Sequence, residues 1–392
     1  MDLLEILKHL SIPRPNQSEA LSETANYIKA LLTNSGIPFV IQEFTLRPYM
    51  QLILGITAVL LAALLFLCIY KRWPVPALIT ALAIPIILFV EFEGFVPLVT
   101  SIITRTGENI IINFNVPNPA RELVFAAHYD SKTDFFDHIQ RSRIYAFIPL
   151  AFILGLGLAI FTFFSKRNAM LRKKIVTTIT LIIAGSLIVF WGLVFLGFGG
   201  YIFLPANQQS YGSVDDGASV AALLALSKDI KDGKVNIGHS NVTVVLTSGE
   251  EVTLQGADAY VKERFGRGSK PPLPTSMVNL ELIGQNGTMT YWKKDGVFFI
   301  YYDADPELVS MLGKSWNSES GLVMESRERL TDDGQRFMAA GIPAVTISNS
   351  GLPGLGETAF HSTRDDLARI KIDNLKLMIG ALKRYIEGYN TR

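Results

Sequence analysis

The chain has 392 residues, of which 49% are hydrophobic and 18% are charged, whereas about 25% of residues are charged in a typical soluble domain. This composition excludes disorder as the main state, because disorder requires low hydrophobicity and high net charge. The 36 basic and 35 acidic residues give a net charge of +1, so no basic field attracts nucleic acid and we expect no nucleic-acid partner. The single cysteine, Cys68, excludes an intrachain disulfide framework.

The segment before the first long apolar run predicts one helix and one strand. Asn16, followed three residues later by Glu19, resembles a capping box and predicts a helix that ends at Gly36. Residues 38–44 predict a strand. Residues 1–10 carry acidic side chains and no long apolar stretch, so we expect no cleaved signal peptide.

Four apolar runs without Asp, Glu, Lys, Arg or His predict transmembrane helices in two hairpins. At 1.5 Å per residue, a run of about 20 residues spans the ~30 Å hydrocarbon core of a bilayer. The alternative, a buried core helix, is expected for runs of about 10–14 residues. Because these runs carry no charge, they are predicted to be anchors in the lipid bilayer and not a substrate pathway. The four runs are residues 50–70, 75–90, 144–164 and 175–198.

The rest of the chain alternates short apolar runs with helical patterns. This alternation predicts an α/β fold with a mainly parallel or mixed sheet and helices on both faces. We expect one discontinuous domain of residues 1–49, 91–143 and 205–392, interrupted by transmembrane hairpins at 50–90 and 144–204. Strands are predicted at residues 101–105 and 109–114, joined by a hairpin turn at 106–108, and at 123–127, 242–247, 277–282 and 344–348. Helices are predicted at residues 218–230, 254–265, 306–317, 334–340 and 372–389.

Ionisable side chains gather where the predicted strands end. In sheets of this kind, sites lie beyond the carboxyl ends of the strands, so we expect these side chains to meet. Burying several carboxylates without a counter-charge is unfavourable, and a pair of divalent cations removes that cost. Taken singly, each residue is more often structural, and it is their convergence that predicts a site. They are His128, Asp130, Asp215, Glu250, Glu251, Glu281 and His361.

Five segments that contain these residues occur in an order that resembles the motifs of the co-catalytic zinc aminopeptidases. That family also includes the glutamate carboxypeptidases and the glutaminyl cyclases. The resemblance covers the chain outside the hairpins, and it implies a zinc-exopeptidase fold that binds two Zn²⁺ ions. Residues 333–344 are similar to a further stretch of the family. The five segments are AHYDS at 127–131, DDGAS at 215–219, SGEEV at 248–252, NLELIG at 279–284 and FHST at 360–363.

The resemblance also implies roles for the ligands. Asp215 would bridge both metal ions, His128 and Glu281 would complete one site, and Glu251 and His361 would complete the other. Oxygen and imidazole donors of this kind suit zinc.

Two further roles follow from the same resemblance. Glu250 would be the general base that takes a proton from the metal-bridging water and passes it to the leaving amine. Asp130 would support catalysis by fixing the tautomer of His128. The peptide bond between Asp215 and Asp216 would be cis.

Three positions depart from the family pattern. Glu281 stands where Asp is common, Phe360 where Tyr is frequent, and Gly334 where His is frequent. The last two changes remove polar groups near the substrate. The residue that would donate a hydrogen bond to the oxyanion is therefore unassigned, with Tyr211 as a weak candidate. The remaining histidines, His9, His138 and His239, are interpreted as structural or surface residues.

The function predicted from these features is a membrane-anchored zinc exopeptidase, most specifically an aminopeptidase acting on peptides. One alternative is a glutaminyl-cyclase-like acyltransferase on the same fold, which uses a single zinc. Another is a non-catalytic receptor or scaffold. The presence of both His128 and His361 together with Glu250 favours the hydrolase.

The hairpin tips predict the orientation of the chain in the membrane. Lys71, Arg72 and the loop at residues 165–174 supply seven basic residues and no acidic residue. The positive-inside rule places such tips in the cytoplasm. We therefore expect a multi-pass membrane protein whose catalytic domain is extracytoplasmic.

Overall fold

The structure is a computed structural model that describes residues 2–165, 168, 170–266, 271–297, 299–349 and 359–389. The chain forms two compact units. The sheet unit comprises Met1–Pro48, Thr104–Thr133 and Asn207–Arg392, and the helical unit comprises Tyr49–Ile103 and Asp134–Ala206. The predicted division into a peptidase domain and two hairpins, with its boundaries, stays a prediction.

The elements of the described residues are numbered in chain order. The helices are α1 (Leu3–Leu10), α2 (Glu19–Asn34), α3 (Met50–Tyr70), α4 (Pro74–Phe92), α5 (His138–Tyr145), α6 (Ile148–Ser165), α7 (Lys174–Gly199), α8 (Ala218–Lys231), α9 (Gln255–Phe265), α10 (Pro306–Ser320), α11 (Gly334–Ala339) and α12 (Ile372–Tyr389). The strands are β1 (Phe39–Leu46), β2 (Arg105–Phe114), β3 (Arg121–His128), β4 (Ser240–Thr247), β5 (Thr275–Leu280), β6 (Thr290–Gly296), β7 (Tyr301–Asp303), β8 (Glu325–Leu330) and β9 (Ala344–Ser348).

All of these strands belong to one mixed sheet, in the order β1-β2-β4-β3-β5-β9-β6-β7, with β8 paired to β6. The central strands β4, β3, β5 and β9 are parallel to one another. Antiparallel pairs flank them, β1 with β2 and β2 with β4 on one side, and β6 with β9 on the other. The predicted mixed α/β fold is therefore confirmed.

Both faces of the central strands are buried. Along β3, Phe125 and Ala127 pack in the larger hydrophobic core with α8 and α12, while Val124 and Ala126 pack in a smaller core with α9 and α11. This alternation follows from the pleat of a strand, which sends successive side chains to opposite faces. A strand with apolar residues on both faces is held in one register, and that register determines where its last residues lie.

Three local predictions are wrong. Residues 101–105 are not a strand, because Thr100–Ile102 form a short 3₁₀ helix and β2 begins only at Arg105. Residues 106–108 are not a hairpin turn, because they lie inside β2, where Gly107 pairs with Phe44 of β1. A Cβ at Gly107 would lie 2.6 Å from the ring of Phe44, so this glycine allows close packing and not a turn. Asn16 does not cap α2, which begins after Ser18. Its side chain binds Asp130 instead.

Among its described residues, the helical unit contains four stretches long and apolar enough to cross a membrane by length and composition: Met50–Tyr70, Pro74–Phe92, His138–Ser165 and Lys174–Phe203. Within this unit α3 packs against α4 and α7, and α4 packs against α6. Outward apolar side chains stay uncovered, including Leu60 at 64% exposure and Ile153 at 68%. Exposed apolar surface of this extent is typical of a membrane or partner contact.

Candidate metal centre

Parallel register brings the ends of three strands to one edge of the sheet. His128, the last residue of β3, pairs with Thr247 at the end of β4, and Ala126 pairs with Asn279 near the end of β5. The loop after β4 then carries Glu250 and Glu251, and Glu281 directly follows β5. The sequence patterns that predicted these strand ends therefore also predicted which side chains would meet.

Asp215 lies between the two histidines. It belongs to the turn Ser213–Gly217, which leads into α8, and its peptide bond to Asp216 is cis. Its Oδ1 is 3.1 Å from Nε2 of His128, and its Oδ2 is 3.0 Å from Nε2 of His361. One carboxylate thus presents one oxygen to each histidine, which is the arrangement a bridging ligand needs.

The other candidate ligands divide between these two histidines. Glu251 Oε2 is 3.0 Å from His361 Nε2, whereas Glu281 Oε1 is 3.6 Å from His128 Nε2. Glu250 Oε2 lies 3.9 Å from the same nitrogen of His128. The structure thus brings together every residue named as a ligand or general base from the sequence, and their roles stay a prediction.

Asp130 supports this cluster from behind. Its Oδ1 is 3.4 Å from Nδ1 of His128, the ring nitrogen that does not face Asp215. The same carboxylate accepts hydrogen bonds from the backbone N–H groups of Glu250 at 3.4 Å and Glu251 at 3.1 Å, and from Nδ2 of Asn16 at 2.6 Å. This single buried carboxylate therefore links the end of β3 to the loop that follows β4.

Burial and mutual charge shift the ionisation of the cluster. Burial raises the pKa of Glu281 to about 8, and it also raises the pKa of Glu250 well above its usual range. Burial alone would lower the pKa of His128, but these two glutamates hold it well above its ordinary value. Burial opposes ionisation of Asp215, yet His361 and His128 hold its pKa below the usual range. Buried carboxylates at this spacing therefore require positive charge nearby in order to be ionised together.

The imidazole and carboxylate donors of the cluster suit a divalent metal ion. Ligand atoms of His128, Asp215 and Glu251 lie within 4.8 Å of one another, and so do those of His128, Asp216 and Glu281. Within the described residues, the buried Oε2 of Glu281 has no hydrogen-bond partner. Closely spaced imidazole and carboxylate donors with such an atom are what a metal ion of the zinc type coordinates.

Asp216 is a member of the cluster that sequence reasoning did not assign. It is fully buried, its Oδ2 accepts a hydrogen bond from the backbone N–H of His128 at 3.3 Å, and its Oδ1 accepts one from the hydroxyl of Ser219. Its pKa is raised by burial and by the charge of Glu281. Its position next to Asp215 in the DDGAS segment was the available signal, and these hydrogen bonds tie Asp215 to β3.

Two of the three departures from the family pattern, Phe360 and Gly334, have simple structural settings. The ring of Phe360 packs edge-on against His361, with centroids 5.0 Å apart. Gly334 leaves no space for a side chain, because a Cβ would lie 2.8 Å from Thr346 Oγ1 and 2.9 Å from Asp332 Oδ1. Tyr211, the weak oxyanion candidate, has a side chain that is 41% exposed.

The chain is similar to a curated membrane protease and, in its fold, to solved structures that include a zinc exopeptidase and a glutaminyl cyclase. Over 191 residues the chain is 24% identical to a vacuolar membrane protease of Tuber melanosporum, an alignment covering 46% of this chain and 18% of that relative's length. A Zn-dependent exopeptidase from Parabacteroides distasonis has a TM-score of 0.54 at 14% identity, covering 98% of this chain and 96% of that one. A glutaminyl cyclase from Fimbriiglobus ruber has a TM-score of 0.56 at 13% identity, covering 98% and 93%.

The family comparison covers just under half of the chain, the part that carries most of the cluster. Residues 200–385 match the model of peptidase family M28, and this range includes Asp215, Glu250, Glu251, Glu281 and His361. The solved structures show that the fold is that of the zinc exopeptidases. The resemblance predicted from the motifs is therefore confirmed: over residues 200–385 this chain is similar to peptidase family M28.

Proposed function

We propose that this chain is a membrane-anchored, zinc-dependent peptidase that acts as an aminopeptidase on peptide substrates. The observation that carries the proposal is the position of Asp215, whose two oxygens face His128 and His361 separately. The match to peptidase family M28 and the fold shared with a solved Zn-dependent exopeptidase support peptidase chemistry. The name of the Tuber melanosporum relative and the four apolar helices support membrane anchoring.

The geometry of the cluster supports the proposed metal ligands. In this proposal His128 and Glu281 would hold one zinc ion, Glu251 and His361 would hold a second, and Asp215 would hold both. Zinc, when bound, polarises the scissile carbonyl and makes the attacking water more acidic. The protein supplies the spacing of the donors, and Asp130 keeps the His128 ring oriented through its Nδ1 atom.

Glu250 is proposed to move the proton. It is buried at the edge of the cluster, with Oε2 3.9 Å from His128 Nε2. Burial raises its pKa well above the usual range, which brings it toward the value that suits a group that first accepts and then donates a proton. In peptide hydrolysis Glu250 would take a proton from the attacking water and return it to the nitrogen of the leaving amine.

A glutaminyl-cyclase-like acyltransferase is the second candidate, because the fold is shared with a solved glutaminyl cyclase. The two chemistries differ in metal content, since the cyclase reaction uses one zinc. The paired histidines on Asp215 favour two ions and hydrolysis.

The direct test is hydrolysis of aminoacyl fluorogenic substrates by the purified full chain, with and without a chelator. The proposal expects cleavage that the chelator abolishes and added zinc restores. Matched substrates with an acetylated N-terminus should not be cleaved, because an aminopeptidase requires a free amino group. Cleavage that is indifferent to the chelator, or cyclisation of N-terminal glutamine without hydrolysis, would contradict the proposal.

We further propose that the hairpin tips face the cytoplasm and that the catalytic domain is extracytoplasmic. The basic residues of the tips support this orientation by the positive-inside rule. Of these, Lys166 and Arg167 lie outside the described residues. Protease treatment of intact cells or sealed vesicles tests the orientation. Protection of residues 205–392 together with cleavage in the loop at 165–174 would mean that the chain has the opposite orientation.

A further inference from the structure

The segment between α1 and α2 contains a buried arginine that the proposed chemistry does not use. Arg14 is 0% exposed, which is rare for a group that stays charged in proteins. Its guanidinium donates hydrogen bonds to five backbone carbonyls. These belong to Leu10 at the end of α1, to Ile12 of its own segment, to Tyr129, and to Tyr211 and Gly212.

Three of these bonds join two of the loops that carry the metal cluster. Nε donates to the carbonyl of Tyr129 at 2.6 Å, in the residue between His128 and Asp130. Nη1 and Nη2 donate to the carbonyls of Tyr211 at 2.9 Å and Gly212 at 2.8 Å, just before the turn of Asp215. One planar cation therefore connects the loop of one metal ligand to the loop of another.

The contact with Gly212 extends into the turn that contains Asp215. The carbonyl of Gly212 also accepts a hydrogen bond from the N–H of Gly217 at 3.0 Å, which closes the turn. Gly212 has φ +58°, and a Cβ there would lie 2.7 Å from Ser131 Cβ and 2.8 Å from Arg14 Nη1. Close approach of these backbones and Arg14 leaves little freedom in the position of Asp215.

The same segment also holds the loop after β3. The backbone N–H of Arg14 donates to Ser131 Oγ at 3.0 Å, and the N–H of Ser131 donates to the carbonyl of Arg14 at 3.2 Å. Two residues further along, Nδ2 of Asn16 donates to Asp130 Oδ2 at 2.6 Å. Arg14 and Asn16 thus reach the two loops through separate contacts.

We propose that Arg14 and Asn16 are positioning residues that set the spacing of His128, Asp130 and Asp215, and thereby the affinity of the cluster for zinc. This proposal rests on the proposed function, because it takes the cluster to be a zinc site. Lysine cannot replace Arg14, since a single ammonium on a flexible stem cannot make the planar set of hydrogen bonds that the guanidinium makes. Residues that orient metal ligands typically change metal affinity by about 10–100-fold when altered.

A role of Arg14 through its charge and a role through positioning predict different zinc affinities for the Arg14 variants, so the two roles can be told apart. If only the positive charge mattered, Arg14→Lys would bind zinc like the parent, and Arg14→Gln would bind zinc more tightly because a buried cation is removed. If Arg14 positions the loops, both variants bind zinc at least about tenfold more weakly. Asn16→Leu, which removes the donor to Asp130, should weaken zinc binding in the same direction.

The experiment is a zinc titration of the full chain in detergent, with Zn²⁺ alone as the probe. The parent, Arg14→Lys, Arg14→Gln and Asn16→Leu are compared with Leu382→Ala, which removes a buried side chain of α12 away from the cluster and controls for general destabilisation. A second arm uses Co²⁺, whose visible absorption reports ligand geometry. The proposal expects weaker zinc binding and a shifted cobalt spectrum in the Arg14 and Asn16 variants, and neither change in Leu382→Ala.

Each outcome decides one question. A parent that binds no zinc overturns the proposed function, whatever the variants do. A parent that binds zinc, with Arg14→Lys binding equally well and with an unchanged cobalt spectrum, overturns the positioning role. If the Arg14 variants do not fold, Asn16→Leu decides: parent-like zinc affinity and spectrum overturn the proposal, and weaker binding with a shifted spectrum supports it.

Discussion

The two units of the chain differ in the polar side chains that they bury and in the apolar side chains that they expose. The sheet unit encloses carboxylates, including Asp130, Asp216 and Asp332, each with no exposed surface. The helical unit leaves large apolar side chains such as Leu60 and Ile153 uncovered. A buried carboxylate requires hydrogen-bond donors or cations, whereas an uncovered apolar helix requires a nonpolar surrounding. The sheet unit therefore carries the candidate metal centre, whereas the helical unit presents an apolar surface that suits a nonpolar surrounding.

The largest effect is expected from removing Asp215, the residue that both proposed metal positions share. Asp215→Ala should abolish zinc binding and peptide hydrolysis together, because it takes away the carboxylate that faces both His128 and His361. Elemental analysis and the fluorogenic assay measure the two losses. The matched control, Asp229→Ala, removes an acid that pairs with Lys383 instead, and it should keep both properties. Retention of both zinc ions by Asp215→Ala would contradict the assignment of Asp215 as a ligand of both ions.

A large effect on rate alone is expected at Glu250. Glu250→Gln should keep the fold and the zinc while lowering kcat by about 10²-fold or more, the scale of losing a general base. The substitution preserves the size of the side chain and its amide cannot accept the proton of the attacking water. Zinc content and kcat measured on the same preparation separate this variant from Asp215→Ala. Full activity in a folded Glu250→Gln protein would remove Glu250 from the mechanism.

Sequence patterns predicted the strand ends but not the contacts that hold them. His128, Glu250 and Glu281 could be found because each follows an apolar run long enough to be a buried strand. Arg14 and Asn16 could not be found, because their partners are distant: Asn16 and Asp130 are 114 residues apart in the chain. A polar residue near a helix start is ordinarily a cap, and that local interpretation of Asn16 was wrong.

The outer strands of the sheet were missed for a related reason. β6 and β8 carry the sequences TYWKKDG and ESRERL, whose charged residues give no apolar run. Their side chains are partly exposed, so pairing with a neighbouring strand determines these strands more than burial does. β3 and β9 are buried throughout or nearly so, and their sequences alone predicted them.

A smaller effect tests how the sheet unit tolerates a buried acid, Asp295, that is not one of the proposed metal ligands. Burial, followed by the charge of Asp332, raises the pKa of Asp295 well above its ordinary value. When the pKa of an acid is higher in the folded chain than in the unfolded chain, the protein loses stability as pH rises from the unfolded pKa, about 3.9, toward the folded pKa. Asp295→Asn removes this loss and keeps an oxygen that can accept the N–H of Asp332.

The stability of Asp295→Asn relative to the parent should therefore increase with pH. Thermal unfolding of both proteins between about pH 5 and pH 8 measures the difference, and each kcal/mol corresponds to about 2–4 °C in a domain of roughly 150–250 residues. The variant should unfold at a higher temperature than the parent at the upper end of this range. A difference that does not change with pH would contradict the assignment of Asp295 as a neutral buried acid.

The smallest effect is expected from replacing the helical hairpins. If residues 50–90 and 144–204 act as anchors, short linkers in their place should leave zinc content and the kcat for short peptides unchanged, since the ligands all lie in the sheet unit. The same change should release the protein from the membrane. A folded, zinc-loaded protein that no longer cleaves short peptides would show that the hairpins contribute to activity.

The zinc content of the purified full chain tests the central claim most directly. Elemental analysis should find two zinc ions per chain in the parent, because Asp215 offers one oxygen beside each of two histidines. Parallel measurement of Asp215→Ala should find none. A single tightly held zinc in the parent would favour the glutaminyl-cyclase-like chemistry, and a parent without zinc would contradict the assignment of the whole cluster.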